Sequence, residues 1–114
     1  MSQLPPSLPG IDVASGVQRV AGNEKLYLKL LRRVASDAPA TREKLGLAVA
    51  DGDTAAVREL AHSLKGAASN LSITDVASSS AALEQAAKNG DFEAVLVRLG
   101  DLEAALEEYV QIVA

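Results

Sequence analysis

The chain has 114 residues, room for one domain with one core, and 48% of them are apolar, enough to fill it. A formal net charge of −4 argues against a nucleic-acid binder, which needs a basic face to displace counterions from phosphates. With no cysteine and a single histidine, disulfides, thiolate-bound zinc and cysteine nucleophiles are excluded, and a structural transition-metal site is not expected.

Taken in chain order, Met1 to Gly10 holds three of the four prolines and is predicted to be an extended lead-in or the end of a linker. Asp12 is a good N-cap for a short helix running to Val20 that buries Val13, Val17 and Val20. Gly22-Asn23 punctuates. Glu24 to about Ser36 places Leu26, Tyr27, Leu30, Leu31 and Val34 at helical spacing, and Pro39 predicts a kink or short break before a further helix from about Ala40 to Ala50. Asp51-Gly52-Asp53 stops and restarts the chain, and Asp53 caps a helix reaching about Leu71. Another helix is predicted from Thr74 to Lys88, ending at Asn89-Gly90. The last starts near Asp91, with Phe92, Val95, Leu96, Leu99, Leu102, Leu106 and Tyr109 on one core-facing stripe and the acidic Glu103, Glu107 and Glu108 on a solvated face. A core with so few aromatics suits close helix packing. The expected fold is therefore all-α: an antiparallel up-and-down four-helix bundle over residues 11–114, with an additional short N-terminal helix.

On the Asp53–Leu71 helix, with about 100° per residue, Val57, Leu60, Ala61, Leu64, Ala67, Ala68 and Leu71 gather in one arc, and His62 lands opposite its middle, in solvent. Its neighbours on that face are small: Ala55, Gly66 at i+4 and Ser69 at i+7. Arg58 at i−4 and Lys65 at i+3 flank it. A mid-helix glycine is unfavourable by about 1 kcal/mol relative to alanine, and here it clears space beside the only histidine, as a closely approaching protein requires. Neutral imidazole is a good nucleophile toward phosphorus, and Lys65 and Arg58 are placed to offset the negative charge that a phosphoryl group adds. Neither G-x-x-x-x-G-K-[ST] nor G-x-G-x-x-G occurs, so the phosphoryl group is expected to come from another protein and not from ATP.

The run His62-Ser63-Leu64-Lys65-Gly66-Ala67-Ala68-Ser69-Asn70-Leu71 resembles the signature of histidine phosphotransfer (HPt) domains of bacterial multistep phosphorelays, roughly H-x-L-K-G-x-[AS]-x-x-[LIF]-G. Leu8-Pro9-Gly10-Ile11-Asp12 and Gly22-Asn23-Glu24 with Leu26-Tyr27 look like the start of HPt domains attached to hybrid sensor kinases. Ala50-Asp51-Gly52-Asp53, Leu83-Glu84 and Asn89-Gly90-Asp91 extend the likeness along nearly the whole chain. Ser72 and Ser69 stand where glycines are usual. The resemblance implies that His62 accepts a phosphoryl group from a receiver-domain aspartyl phosphate and passes it reversibly to another receiver. Lys65 would then assist electrostatically and Gly66 would keep the ring accessible. Ala55, Arg58, Glu59 and Ser69 would contact the partner. No cofactor is implied for this chain, because Mg²⁺ is expected in the response-regulator receiver.

Other readings are a phosphoacceptor region of a sensor kinase or of a chemotaxis kinase, or an inert helical interaction module. The first lacks its acidic residue and proline here, since Ser63 follows His62. No stretch approaches the roughly 18–20 apolar residues of a membrane span, and no secretory signal is evident, so a cytoplasmic location is expected. The Pro5-Pro6-Ser7-Leu8-Pro9 opening suits the linker end of a hybrid kinase. A monomer is expected, on the premise that the apolar stripes all face inward.

Overall fold

A computed structural model describes residues 4–114, so the first three residues of the expected lead-in lie outside it. The described residues form five helices and no β-strand: α1 (Val13–Arg19), α2 (Glu24–Ala50), α3 (Thr54–Asn70), α4 (Thr74–Lys88) and α5 (Phe92–Val113). Helix α2 packs on α3 and α5, α3 on α4, and α4 on α5, which closes a four-helix ring, while α1 lies against α2. The Tyr109 hydroxyl donates to the Leu31 carbonyl and Arg42 pairs with Glu103 at 3.5 Å, so α5 runs antiparallel to α2. Leu31, Leu45, Val57, Leu83, Val95, Leu102 and Leu106 fill the centre. Each such side chain contributes roughly 1.5–3 kcal/mol through removal from water. None of the described helices is long and apolar enough to cross a membrane.

The connections within the bundle repeat one device. At the ends of α2, α3 and α4 the second residue past the C-cap donates its N–H to a carbonyl five positions back: Asp53 to Ala48, Ile73 to Ala68 and Asp91 to Ala86. The residue between is left-handed in each case, Gly52, Ser72 or Gly90. The donor residue is also the N-cap of the next helix. Three residues thus close one helix and open another, which leaves antiparallel neighbours as the compact arrangement. Asp53 and Asp91 then accept from Ala56 N and Ala94 N through their side chains.

Ile73 has no such side chain. At α4 the acceptor is the Gly10 carbonyl, which takes the Asp75 N–H at 3.2 Å and the Thr74 hydroxyl at 3.1 Å. The segment before α1 therefore caps a bundle helix. It is held there by the Asp12 N–H on the Ser72 carbonyl, by Ser72 Oγ donating to Ser15 Oγ, and by the buried Ile11. Below it, the buried Tyr27 hydroxyl donates to the Leu71 carbonyl at 2.6 Å. Burial, with Asp12 nearby, pushes its pKa up to about 12, so it stays a donor at neutral pH.

Three expectations differ from what is found. Pro39 sits inside a continuous α2. A helix-interior proline costs about 3 kcal/mol, but the Leu31–Tyr109 and Arg42–Glu103 contacts fasten α2 to α5 on both sides of it, so packing overrides the break. Ala67 is exposed, because the buried strip of α3 is narrower than the apolar arc: Val57, Ala61, Leu64 and Ala68. Phe92 and Leu96 are 43% and 49% exposed, because they sit at the edge of the stripe, turned away from the fully buried Val95, Leu102 and Leu106. With Val97 and Leu47 also exposed, the premise offered for a monomer does not hold at this end of the bundle.

Gly16 touches Tyr27 so closely that a Cβ there would lie 2.3 Å from the Tyr27 ring. That ring is buried and tethered by its hydroxyl, so it has no free direction of escape. Gly16→Ala is expected to lower stability by about 1–3 kcal/mol through overpacking, measured by urea unfolding; an unchanged midpoint would show that α1 is not held against Tyr27 in solution.

Candidate functional site

Capped by Asp53, α3 buries Val57, Ala61, Leu64 and Ala68 and thereby turns His62 outward, its side chain 66% exposed. The ring is not free. Nδ1 lies 2.7 Å from Glu84 Oε2, and the other carboxylate oxygen accepts from Lys65 Nζ at 2.6 Å. Glu84 projects from α4 beside the fully buried Leu83, which anchors that turn of the helix. One carboxylate, itself only 18% exposed, therefore bridges the histidine and the lysine.

The bridge fixes which groups donate and which accept. The Lys65 hydrogen bond is the main influence holding the Glu84 carboxyl below its ordinary 4.5; partial burial opposes it, and the His62 hydrogen bond and the two positive charges add to it. An ionised carboxylate only accepts hydrogen bonds, so Nδ1 is the donor in this contact. Nε2 lies on the opposite edge of the ring. The exposed imidazole is thus held in one orientation, with Nε2 turned away from Glu84, its hydrogen-bond partner among the described residues.

Around it, a Cβ on Gly66 would meet no atom within 4 Å, so this glycine fills no tight internal contact and leaves the surface beside the ring open. Ala55, Arg58 and Glu59 share a broad, open depression with His62, which continues to Lys44 and Ala48 of α2 and to the α2–α3 turn. Ser69 is placed elsewhere, in a separate shallow hollow with Ser72, Arg19 and Ser78. Sequence reading missed Glu84 as a partner of the ring. Its position in Leu83-Glu84 belonged to the resemblance, but nothing in the spacing tells which residue of α4 lies opposite His62. Lys44 was likewise not singled out, for it belongs to another helix. Among the described residues, no group of three or more His, Cys, Asp and Glu side chains is placed to hold a metal ion.

The Hpt domain family matches residues 29–112 of the chain. Among solved structures, the fold is similar to that of histidine-containing phosphotransfer protein B (HptB) from Pseudomonas aeruginosa PAO1, with a TM-score of 0.83 and 25% sequence identity over 94% of this chain and 93% of that one. No curated protein matches the sequence.

Folding lowers the Glu84 pKa, so across the interval below 4.5 the folded state binds fewer protons than the unfolded one. The bridge's contribution to stability is fully present above that value and fades as pH falls through the lowered folded pKa. Glu84→Gln removes the titration. The melting temperature of the wild type is expected to drop more than that of the variant between neutral pH and the acid side of this interval. Parallel drops would mean the bridge does not form in solution.

Proposed function

The chain belongs to the Hpt domain family and has a histidine phosphotransfer role, and from this premise we propose that His62 is the phosphoacceptor, taking the group from a receiver-domain aspartyl phosphate and returning it to another receiver. The observation that carries the reading is the Nδ1–Glu84 hydrogen bond on an otherwise exposed ring, because it orients the imidazole with Nε2 at its open edge.

Transfer would proceed by in-line attack of the Nε2 lone pair on phosphorus. The N–P bond forms as the P–O bond to the receiver aspartate breaks, and the aspartate leaves as a carboxylate. No proton needs to leave Nε2. The ring gains positive charge while Nδ1–H still donates to Glu84, so the carboxylate faces charge that develops only as reaction proceeds, which is where an interaction lowers a barrier. In reverse the same contact acts on the same transition state. Mg²⁺ would be held by the receiver, and the family's phosphocarrier role needs no nucleotide site in this chain. The partner's footprint would centre on His62 and Gly66 and include Ala55, Arg58 and Glu59, with Ser69 at its margin. A hybrid sensor kinase is the class of protein expected to carry the donor receiver.

Two variants test this. Mixed with phosphorylated receiver domains, the wild type is expected to take up acid-labile phosphate and His62→Gln none; uptake by His62→Gln would remove His62 from the reaction. Gly66→Ala separates fold from function. It is expected to match or exceed wild-type stability by up to about 1 kcal/mol, because the added methyl meets nothing within the chain. Transfer should nonetheless slow about tenfold, since the methyl intrudes where the receiver must close. Wild-type transfer rates in Gly66→Ala would sink the accessibility role.

A further inference from the structure

We propose that the groove between α2 and α5, on a different face of the bundle from His62, seats an amphipathic helix of a partner protein whose apolar side is flanked by lysine or arginine. This surface is independent of the phosphoacceptor reading.

The Arg42–Glu103 pair marks where the two antiparallel helices face one another. Residues three and four apart share a helix face. The same side of α5 therefore continues from Glu103 through Gly100 and Leu99 to Leu96 and Phe92, and that of α2 from Arg42 through Gly46 to Ala50. Leu96 and Phe92 are half exposed. Gly46, Ala50 and Gly100 are exposed as well, and a Cβ on either glycine would meet nothing within 4 Å. Each glycine costs its helix about 1 kcal/mol relative to alanine, yet no internal contact requires it. The result is a groove with a large apolar wall on α5 and a low floor on α2, shaped for the close approach of a third helix. Leu47, three residues before Ala50 and also exposed, extends the apolar surface over the outer side of α2.

The charges around the groove select its occupant. Glu43 stands at i−3 from Gly46, Asp51 follows Ala50, and Glu93 follows Phe92 at i−3 from Leu96. All three are exposed, and none forms an ion pair among the described residues. The nearby cations do not neutralise them: Arg42 pairs with Glu103, Arg98 pairs with Asp101, and Lys44 lines the depression on the His62 side of α2. A second copy of this chain would set acid against acid, and an anionic lipid surface would do the same. A helix with basic flanks instead pairs with the rim while its apolar residues cover Leu96 and Phe92. Helix α2 lies between α3 and α5 in the ring, and His62 turns toward Glu84 of α4, so the groove and the imidazole can be occupied together.

Titration of the ¹⁵N-labelled full chain tests the surface. The probe is a synthetic helical peptide with leucines on one face and lysines flanking them, and its twin carries glutamates in place of the lysines. The lysine peptide is expected to shift the amides of Gly46, Ala50, Leu96 and Gly100 and to leave that of His62 in place. Leu96→Gln should weaken its binding about tenfold, and far-UV circular dichroism checks that the helices persist. Glu43→Lys combined with Glu93→Lys should weaken it by about the same factor and admit the glutamate twin. No binding of the lysine peptide, equal binding of both peptides to the wild type, shifts centred on another surface, or unchanged affinity in Leu96→Gln each overturns the proposal. Two further outcomes overturn it by assigning another occupant. A mass that doubles with concentration in sedimentation and is halved again by Leu96→Gln makes the groove a contact between copies. Binding to vesicles rich in phosphatidylserine that Leu96→Gln abolishes makes it a membrane surface.

Discussion

The turn between α3 and α4 sets which residue of α4 stands beside His62. His62 lies ten residues before Ser72 and Glu84 twelve after it, so at about 1.5 Å of rise per residue the two stand about 15 and 18 Å from the turn, and side-chain reach closes the remainder. Slippage of α4 by one residue against the turn would rotate its side chains by about 100° and aim a different one at the imidazole. The turn is held accordingly. Ser72 takes a left-handed conformation that costs an ordinary residue roughly 1–2 kcal/mol. Its carbonyl receives Asp12 N–H, its hydroxyl meets Ser15, and the preceding Leu71 carbonyl receives the Tyr27 hydroxyl. Segments far away in sequence thus fix the register on which the site depends.

This places α1 and the segment before it in a different light from a simple lead-in. The backbone of Gly10 replaces a missing side-chain cap on α4, and Gly16 lets α1 close on the very tyrosine that holds Leu71. The end of α3 is braced from α1, from α2 and from the N-terminal segment. The His62 end of the contact, by contrast, is braced only through Glu84. The rigidity lies in the helices and their turn, while the His62 side chain keeps the exposure that the proposed partner would need.

Much of this was legible in the sequence where local chemistry decides. Asp12 and Asp53 cap the helices they were expected to cap, Asn23 and Asp91 stand at the helix starts expected there, and the outward aspect of His62 follows from the spacing of Val57, Ala61, Leu64 and Ala68. What was not legible depends on partners across space. Pro39 reads as a break until α5 is seen to fasten α2 on both sides. Phe92 and Leu96 lie at the edge of a stripe whose centre, at Val95, Leu102 and Leu106, is what the neighbouring helices cover. Glu84 reads as one more surface acid. Gly16 and Gly66 show the limit most directly, for both are helical glycines. One is required by a ring 2.3 Å from where its Cβ would be, the other faces open space, and no property of glycine itself tells them apart.

A carrier must make its nitrogen reactive without making the phosphorylated ring too comfortable. A carboxylate devoted wholly to Nδ1–H would stabilise the positively charged phosphoimidazole strongly, deepening the intermediate and slowing its departure. Here Lys65 occupies the second oxygen of Glu84, so part of the negative charge is already compensated before the ring becomes charged. The ion pair keeps the carboxylate ionised and aimed, and under the proposed function it would leave that carboxylate less able to trap a phosphorylated ring. Strong orientation combined with moderate charge stabilisation is what reversible transfer requires, since any contact that favours the intermediate more than both transition states raises the barrier to leaving it.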